Sequence, residues 1–398
     1  MIEIGVEPKR KSVVIAEDEP AHYLILGDFG GRAMEPLAID RDNFDGVMQK
    51  LQVNLAGASF GELEDFHPDR LYRNLSLFRE FDPAPAGNNK TPEPSSPQAN
   101  LGELLRSSSL LEQIAEGGDP FEHYVRELAR AHAAPAEASD PQREAALGER
   151  MRGLLHHPRF QAVEAAWRGL DFVIRGDAGE EARIRIAHFT KDQAARDLLE
   201  AKSLGETRMY ALLNARKWRA VIGLYAFGPD GADIEFLGRM ALLAAHIGAP
   251  FIAEGSAGMG DHWEELRSLP EASYLGLVLP RFLLRLPYGA RTSAIESFPF
   301  EEMPGTPVHS QYLWGNPALA FLRLLTAGGA LNIEGLPLHT YQQEGEWHMT
   351  PCAEVWMTET QVLALIDLGL MPLVSFRDSD RVRLAGFRAI NGEELALP

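Results

Sequence analysis

A single cysteine, Cys352, stands among 398 residues, so no internal disulfide can form and the fold must be held by its core. Long apolar runs are missing too. No stretch approaches the roughly 18 apolar residues that a membrane-spanning helix needs. The opening residues carry Lys9, Arg10 and Lys11 but not the apolar centre of a secretory leader, so a cytoplasmic location without membrane insertion is expected. Positive charge is scarce: 38 Lys and Arg against 57 Asp and Glu leave a formal net charge of −19. That balance argues against nucleic-acid phosphates or an anionic membrane surface as the main partner. What the chain does have is apolar mass. At 45% hydrophobic residues it is long enough for two folded units with a substantial core.

The clearest boundary is 82–100, rich in Pro, Gly, Ser and Asn and nearly free of large apolar side chains. Such a stretch buries too little surface to offset its ordering entropy and is expected to act as a flexible tether. It divides the chain into 1–81, the linker 82–100, a helical segment 101–139 and a main body 140–398. Before the linker, Tyr23 to Leu26 predicts a short buried strand that runs into the turn Gly27-Asp28-Phe29-Gly30-Gly31. Phe44, Val47, Met48 and Leu51 lie at helical spacing within 41–51, and Pro68 opens a second helix expected over 67–78.

After the linker, 101–115 carries a short amphipathic pattern, and Asp140-Pro141 starts a helix expected to reach about Leu155. The strongest period in the chain runs from Pro158 to Ile174: Phe160, Val163, Trp167, Leu170 and Ile174, in steps of three and four. Strands are expected at 183–189, 221–226, 250–253 and 274–279, with a helix over 233–247. That alternation predicts an α/β fold: a mixed, largely parallel sheet with flanking helices, and a small α/β N-terminal unit joined by the linker.

The chemistry-bearing candidates do not assemble into a site. Gly27 to Gly31 follows a strand, yet it has neither the Lys and hydroxyl of a phosphate loop nor the GxGxxG spacing. The stretch Gly255-Ser256-Ala257-Gly258-Met259-Gly260 misses the nucleophile-elbow spacing and carries no basic residue. An α/β enzyme using it as a binding loop is the remaining catalytic alternative. His156-His157 precede a helix and point in different directions, which favours a structural role over a metal. Asp261, His262, Glu264 and Glu265 suit the first turn of a short helix, where acids meet the positive dipole end. Glu301-Glu302 form a loop charge pair without an evident partner, and Cys352 has no CxxC or HExxH companion. No nucleophile, base and orienter converge, so neither an enzymatic role nor a cofactor is expected.

The run Leu154-Leu155-His156-His157-Pro158-Arg159-Phe160-Gln161-Ala162-Val163-Glu164-Ala165-Ala166-Trp167-Arg168-Gly169-Leu170 resembles the large sheath subunit of bacterial type VI secretion, the TssC/VipB family. Further similar stretches follow in order. They include Ala249-Pro250-Phe251-Ile252-Ala253 and Leu279-Pro280-Arg281-Phe282-Leu283-Leu284-Arg285-Leu286-Pro287-Tyr288-Gly289, then Tyr312-Leu313-Trp314-Gly315-Asn316 and Asp367-Leu368-Gly369-Leu370-Met371-Pro372-Leu373. Before the linker, Leu24-Ile25-Leu26-Gly27-Asp28-Phe29 and Phe60-Gly61-Glu62-Leu63-Glu64-Asp65-Phe66-His67-Pro68-Asp69 resemble the small subunit, TssB/VipA.

The resemblance implies a structural protein of the contractile sheath, with other sheath subunits, the inner tube, the baseplate and the unfoldase ClpV as partners. It implies that Ser109 to Glu116, with Leu110, Leu111 and Ile114, corresponds to the helix that ClpV recognises, the alternative being an ordinary packing helix. Trp167, Arg281 and Arg285 are the candidate assembly residues, with internal support as the competing role. The chain is expected to depart from the family in two places: the large subunit continues beyond the position of Phe387, and the small subunit has a helical tail where this chain has its linker. A sheath-like accessory that caps or regulates assembly is therefore the alternative to a lattice-forming subunit.

Overall fold

The computed structural model describes residues 20–32, 35–81, 119–132, 140–176 and 182–398. The linker 82–100 and the candidate residues Leu110, Leu111 and Ile114 lie outside the described residues.

Nine strands form one sheet: β1 (Ala21–Gly27), β2 (Leu37–Ile39), β3 (Ala182–His188), β4 (Ala220–Ala226), β5 (Phe251–Glu254), β6 (Leu275–Leu279), β7 (Asn332–Ile333), β8 (Met371–Ser375) and β9 (Val382–Leu384). Their spatial order is β7-β9-β8-β6-β5-β4-β1-β3-β2. The six inner strands from β8 to β3 are mutually parallel, while β2, β9 and β7 are antiparallel additions at the edges. The expected α/β sheet with flanking helices is what forms.

The first strand of the chain sits deep inside that sheet. β1 pairs with β3 from Ala21↔Ala182 to Gly27↔His188, and with β4 from Tyr23↔Ala220 to Leu26↔Gly223. Its side chains alternate between two separate cores. Tyr23 and Ile25 join the cluster around Trp167, while Leu24 and Leu26 join the cluster around Met240 and Leu243. A strand covered on both faces has no polar side to show, so it reads as an unbroken apolar run.

One face is covered by the helices Pro158–Ile174 and Pro317–Thr326 together with Phe44–Leu51. The other carries Lys191–Leu199, Arg208–Asn214 and Gly231–Ile247. In the Pro158–Ile174 helix, His157 accepts from the Arg159 amide at 3.2 Å and Pro158 occupies the first turn, where no backbone donor is lost. All five residues of its apolar period are buried. Gly169 allows the crossing with Pro317–Thr326: a Cβ there would stand 2.4 Å from Leu319 Cδ1.

Two expected helices are shorter than their sequence patterns imply. The one expected from Arg41 starts at Phe44, because Asp40 accepts from the amides of Asp42 and Asn43 and turns the chain first. The one expected over 67–78 stops at Asn74; Leu75 is extended, and Ser76–Phe81 forms a tighter 3-10 turn.

Candidate functional site

Residues 20–81 and the body from Asp140 onward meet along a seam centred on Trp167. The indole is fully buried, with the Phe29 ring edge-on at 5.4 Å and Phe44 at 5.6 Å. Its Nε1 donates to the Phe29 carbonyl at 3.0 Å, so the polar atom of this large side chain is satisfied inside the core. Arg41 clamps one end of the seam, donating to the carbonyls of Ile174 and Arg175 at 3.1 and 2.9 Å. At the other end Asp69 accepts from the amides of Glu296 and Ser297 at 3.1 and 2.8 Å. Arg150, 1% exposed, donates to the Leu77, Ala129 and His132 carbonyls, pairs with Glu80, and lies over the Phe81 ring. The structure thus places Trp167 in an interior role between segments of one chain.

Arg285 is also interior. Its Nε meets Glu164 at 2.8 Å, its Nη1 meets Glu302 at 2.7 Å, and its guanidinium lies 4.2 Å from the Tyr288 ring centre. Arg168 completes the group, reaching Glu164 at 2.7 Å and the Tyr288 hydroxyl at 3.0 Å. Glu164 and Glu302 are 0% and 1% exposed. Two arginines and two carboxylates balance, which is the condition for burying them at all. Burial by itself would raise the Glu302 carboxyl, but Arg285, His156 and the Tyr288 amide outweigh it and hold the group at about 2. Glu302, which has no evident partner in the sequence, is therefore the anchor of the 287–302 loop.

Arg281, four residues earlier, sits in a different setting. It makes a two-pronged pair with Glu354, whose carboxylate also has His309 at 3.4 Å, and it stands 3.9 Å from Glu254. Glu254 ends β5 and accepts from Asn316 Nδ2 at 3.3 Å. Burial pushes its carboxyl up to about 7; Arg281 pulls the other way and Glu354 adds to the rise. Beside this cluster Val308, Val355 and Trp356 are 50%, 47% and 41% exposed.

The other sequence candidates are structural. Gly31 passes close under Leu51, whose carbonyl oxygen would lie 2.6 Å from an added Cβ, and Gly260 would meet the Pro229 carbonyl at 2.1 Å. Both glycines therefore serve close backbone packing. His157 caps a helix and His156 faces Glu302 at 3.5 Å. Among the described residues no group of three or more His, Cys, Asp or Glu is arranged to hold a metal. The Cys352 thiol is buried and donates to the Ser379 carbonyl at 3.4 Å, and burial, helped by Asp380, pushes it up to about 11. No helix among the described residues is long and apolar enough to cross a membrane.

The type VI secretion system sheath protein TssC1 of Pseudomonas aeruginosa PAO1 is similar, with 28% identity over 298 aligned residues, covering 62% of this chain and 59% of that protein. The chain thus spans about three-fifths of the length of this curated relative. A family model described as "VipB: EvpB/VC_A0108, tail sheath N-terminal domain" matches residues 142–262 and 260–391. The matched range carries Trp167, Arg281, Arg285 and the sheet strands from β3 to β9, but not β1 or β2. With more than half of its length matched, the chain belongs to the VipB tail-sheath family.

Proposed function

We propose that the chain is a structural component of a cytoplasmic type VI contractile sheath, in which residues 20–81 act within the same polypeptide as the small-subunit counterpart. The observation that carries this reading is β1. The segment resembling TssB/VipA supplies an inner strand to a sheet whose other inner strands all lie in the sheath-family range. Other sheath subunits are the partners, and the inner tube, baseplate and a ClpV-type unfoldase follow from the resemblance. Leu110, Leu111 and Ile114 would serve the unfoldase contact. The role is mechanical rather than catalytic. In this reading Arg281, with Val308, Val355 and Trp356 around it, supplies a subunit contact, while Trp167 and Arg285 keep the protomer rigid.

One observation favours a second reading, an accessory that caps or regulates the sheath. Both edges of the described sheet are short, three residues at β2 and two at β7, and such edges are poor templates for further strands. Co-expression with intact sheath subunits and negative-stain electron microscopy separates the two. Tubes that contain the chain along their length support the subunit; a chain confined to one tube end supports the accessory; exclusion from tubes of normal form sinks both.

A further inference from the structure

On a chain with a net charge of −19, several basic side chains lie near one another at one end of β1 and β3. His22 on β1 and Arg183 on β3 are register partners, and Arg185 follows two residues along the same face. Arg216, just past the Arg208–Asn214 helix, brings its Nη1 to 3.3 Å from His22 Nε2, and Lys217 beside it is exposed. Arg185 donates to the Pro36 carbonyl at 3.1 Å, and its buried Nε has no hydrogen-bond partner among the described residues. Burial and the nearby Arg216 charge both lower its basicity. Among the described residues, the contacts of Arg185 and Arg216 are to a carbonyl and an imidazole, not to a carboxylate.

This cluster borders a groove of about 510 Å³ between β3 and the Arg208–Asn214 helix. Ala187, Phe189, Ala211, Leu212 and Ala215 give it an apolar floor. Arg208, whose guanidinium lies 5.8 Å from the Phe189 ring, stands at one end, and Pro36 and Ala215 connect the other to Arg185 and Arg216. Among the described lining residues Glu35 is the one acid. The seven helical residues from Arg208 to Asn214 rise about 10 Å, and Arg216 stands two residues beyond their end. An extended peptide covers a span of that order in about three to four residues at ~3.3 Å each.

We infer that this groove binds an extended acidic peptide of a partner protein, with apolar side chains on the Ala211–Ala215 floor and carboxylates about four residues apart paired with Arg208 and with Arg185 and Arg216. The apolar floor makes a purely charged ligand a poor match, and the paired cations at its ends exclude a basic one. The site lies on the opposite face of the sheet from Trp167 and does not depend on the sheath assignment.

The test is fluorescence anisotropy on the full chain with a labelled peptide containing Asp-Leu-Val-Ile-Asp, against the same peptide with both Asp replaced by Lys. Saturable binding of the acidic peptide, weakened at least tenfold by the Lys replacement and by raising salt from 50 to 300 mM, is expected. Arg208→Glu combined with Arg216→Glu should weaken it at least tenfold. Ala211→Gln, which fills the floor with a good helix former, should weaken it several-fold without changing charge. Equal binding of the two peptides, or unchanged binding in both well-folded variants, would overturn the proposal. So would a single-stranded oligonucleotide that binds more tightly and displaces the peptide, since that outcome assigns the groove to nucleic acid.

Discussion

Arg281 and Arg285 lie four residues apart in one stretch of sequence, and the fold uses them in opposite ways. Arg285 is held between two carboxylates that are 0% and 1% exposed, over a buried tyrosine ring. Arg281 is 38% exposed at its side chain and borders exposed Val355 and Trp356. The same guanidinium therefore stabilises a loop in one case and shapes a surface in the other. What decides is the surroundings: Arg285 has neutralising partners from two distant segments, the helix carrying Glu164 and the loop carrying Glu302, and so can leave water.

The comparison predicts a graded set of effects. Arg285→Ala removes one partner from a buried network and should cost about 3–5 kcal/mol in chemical denaturation, with loss of soluble protein if the chain is marginally stable. If the cost is under about 1 kcal/mol, the network is not buried as described. The Glu302 carboxyl sharpens the same point through pH. Its folded value of about 2 lies below the ordinary 4.5, so its contribution is complete above pH 4.5 and is lost as pH falls toward 2. Glu302→Gln should lose up to about 3 kcal/mol at pH 7 and flatten the acid-unfolding curve in that window.

At the Arg281 end the sign reverses. Glu254 is raised to about 7, so folding disfavours its ionised form; stability falls as pH climbs from 4.5 to about 7 and stays level beyond. Glu254→Gln should raise the stability by about 1–3 kcal/mol at pH 8 and change little at pH 4, read by thermal melts at both values. An equal effect at both would show that Glu254 is ionised normally. The smallest stability effect is expected for Arg281→Ala, under about 1 kcal/mol for a partly exposed pair. The same variant combined with Trp356→Ser should nonetheless reduce incorporation into tubes. Normal incorporation would remove this surface from the proposed contact.

The inner strands and amphipathic helices were legible because each carries a local signal. Tyr23 to Leu26 is an unbroken apolar run, and the period from Phe160 to Ile174 alternates threes and fours; both elements form within a residue or two of expectation. The Pro317–Thr326 helix left no such trace, since nine of its ten residues are buried and it has no polar stripe to set a period. The hairpin His339–Gln343 with Glu346–Thr350 escaped for the opposite reason, being mostly polar with no buried residue in either strand. Trp167 was visible as a residue of importance, but its partners Phe29 and Phe44 are more than 120 positions away in sequence, and nothing local announces them. The Arg285 network hid for the same cause: Glu164 is 121 positions from Arg285. The linker 82–100 and the 101–118 segment lie outside the described residues.

The central claim is that residues 20–81 complete the sheath-type sheet from within the chain. Producing residues 1–100 and 101–398 as separate chains, singly and together, tests it most directly. The account predicts that 101–398 alone is aggregated or unfolded, because an inner strand and the Trp167 contacts are gone, and that co-expression restores a soluble complex melting as one unit. A fragment 101–398 that is monomeric, cooperatively folded and as heat-stable as the full chain would contradict it.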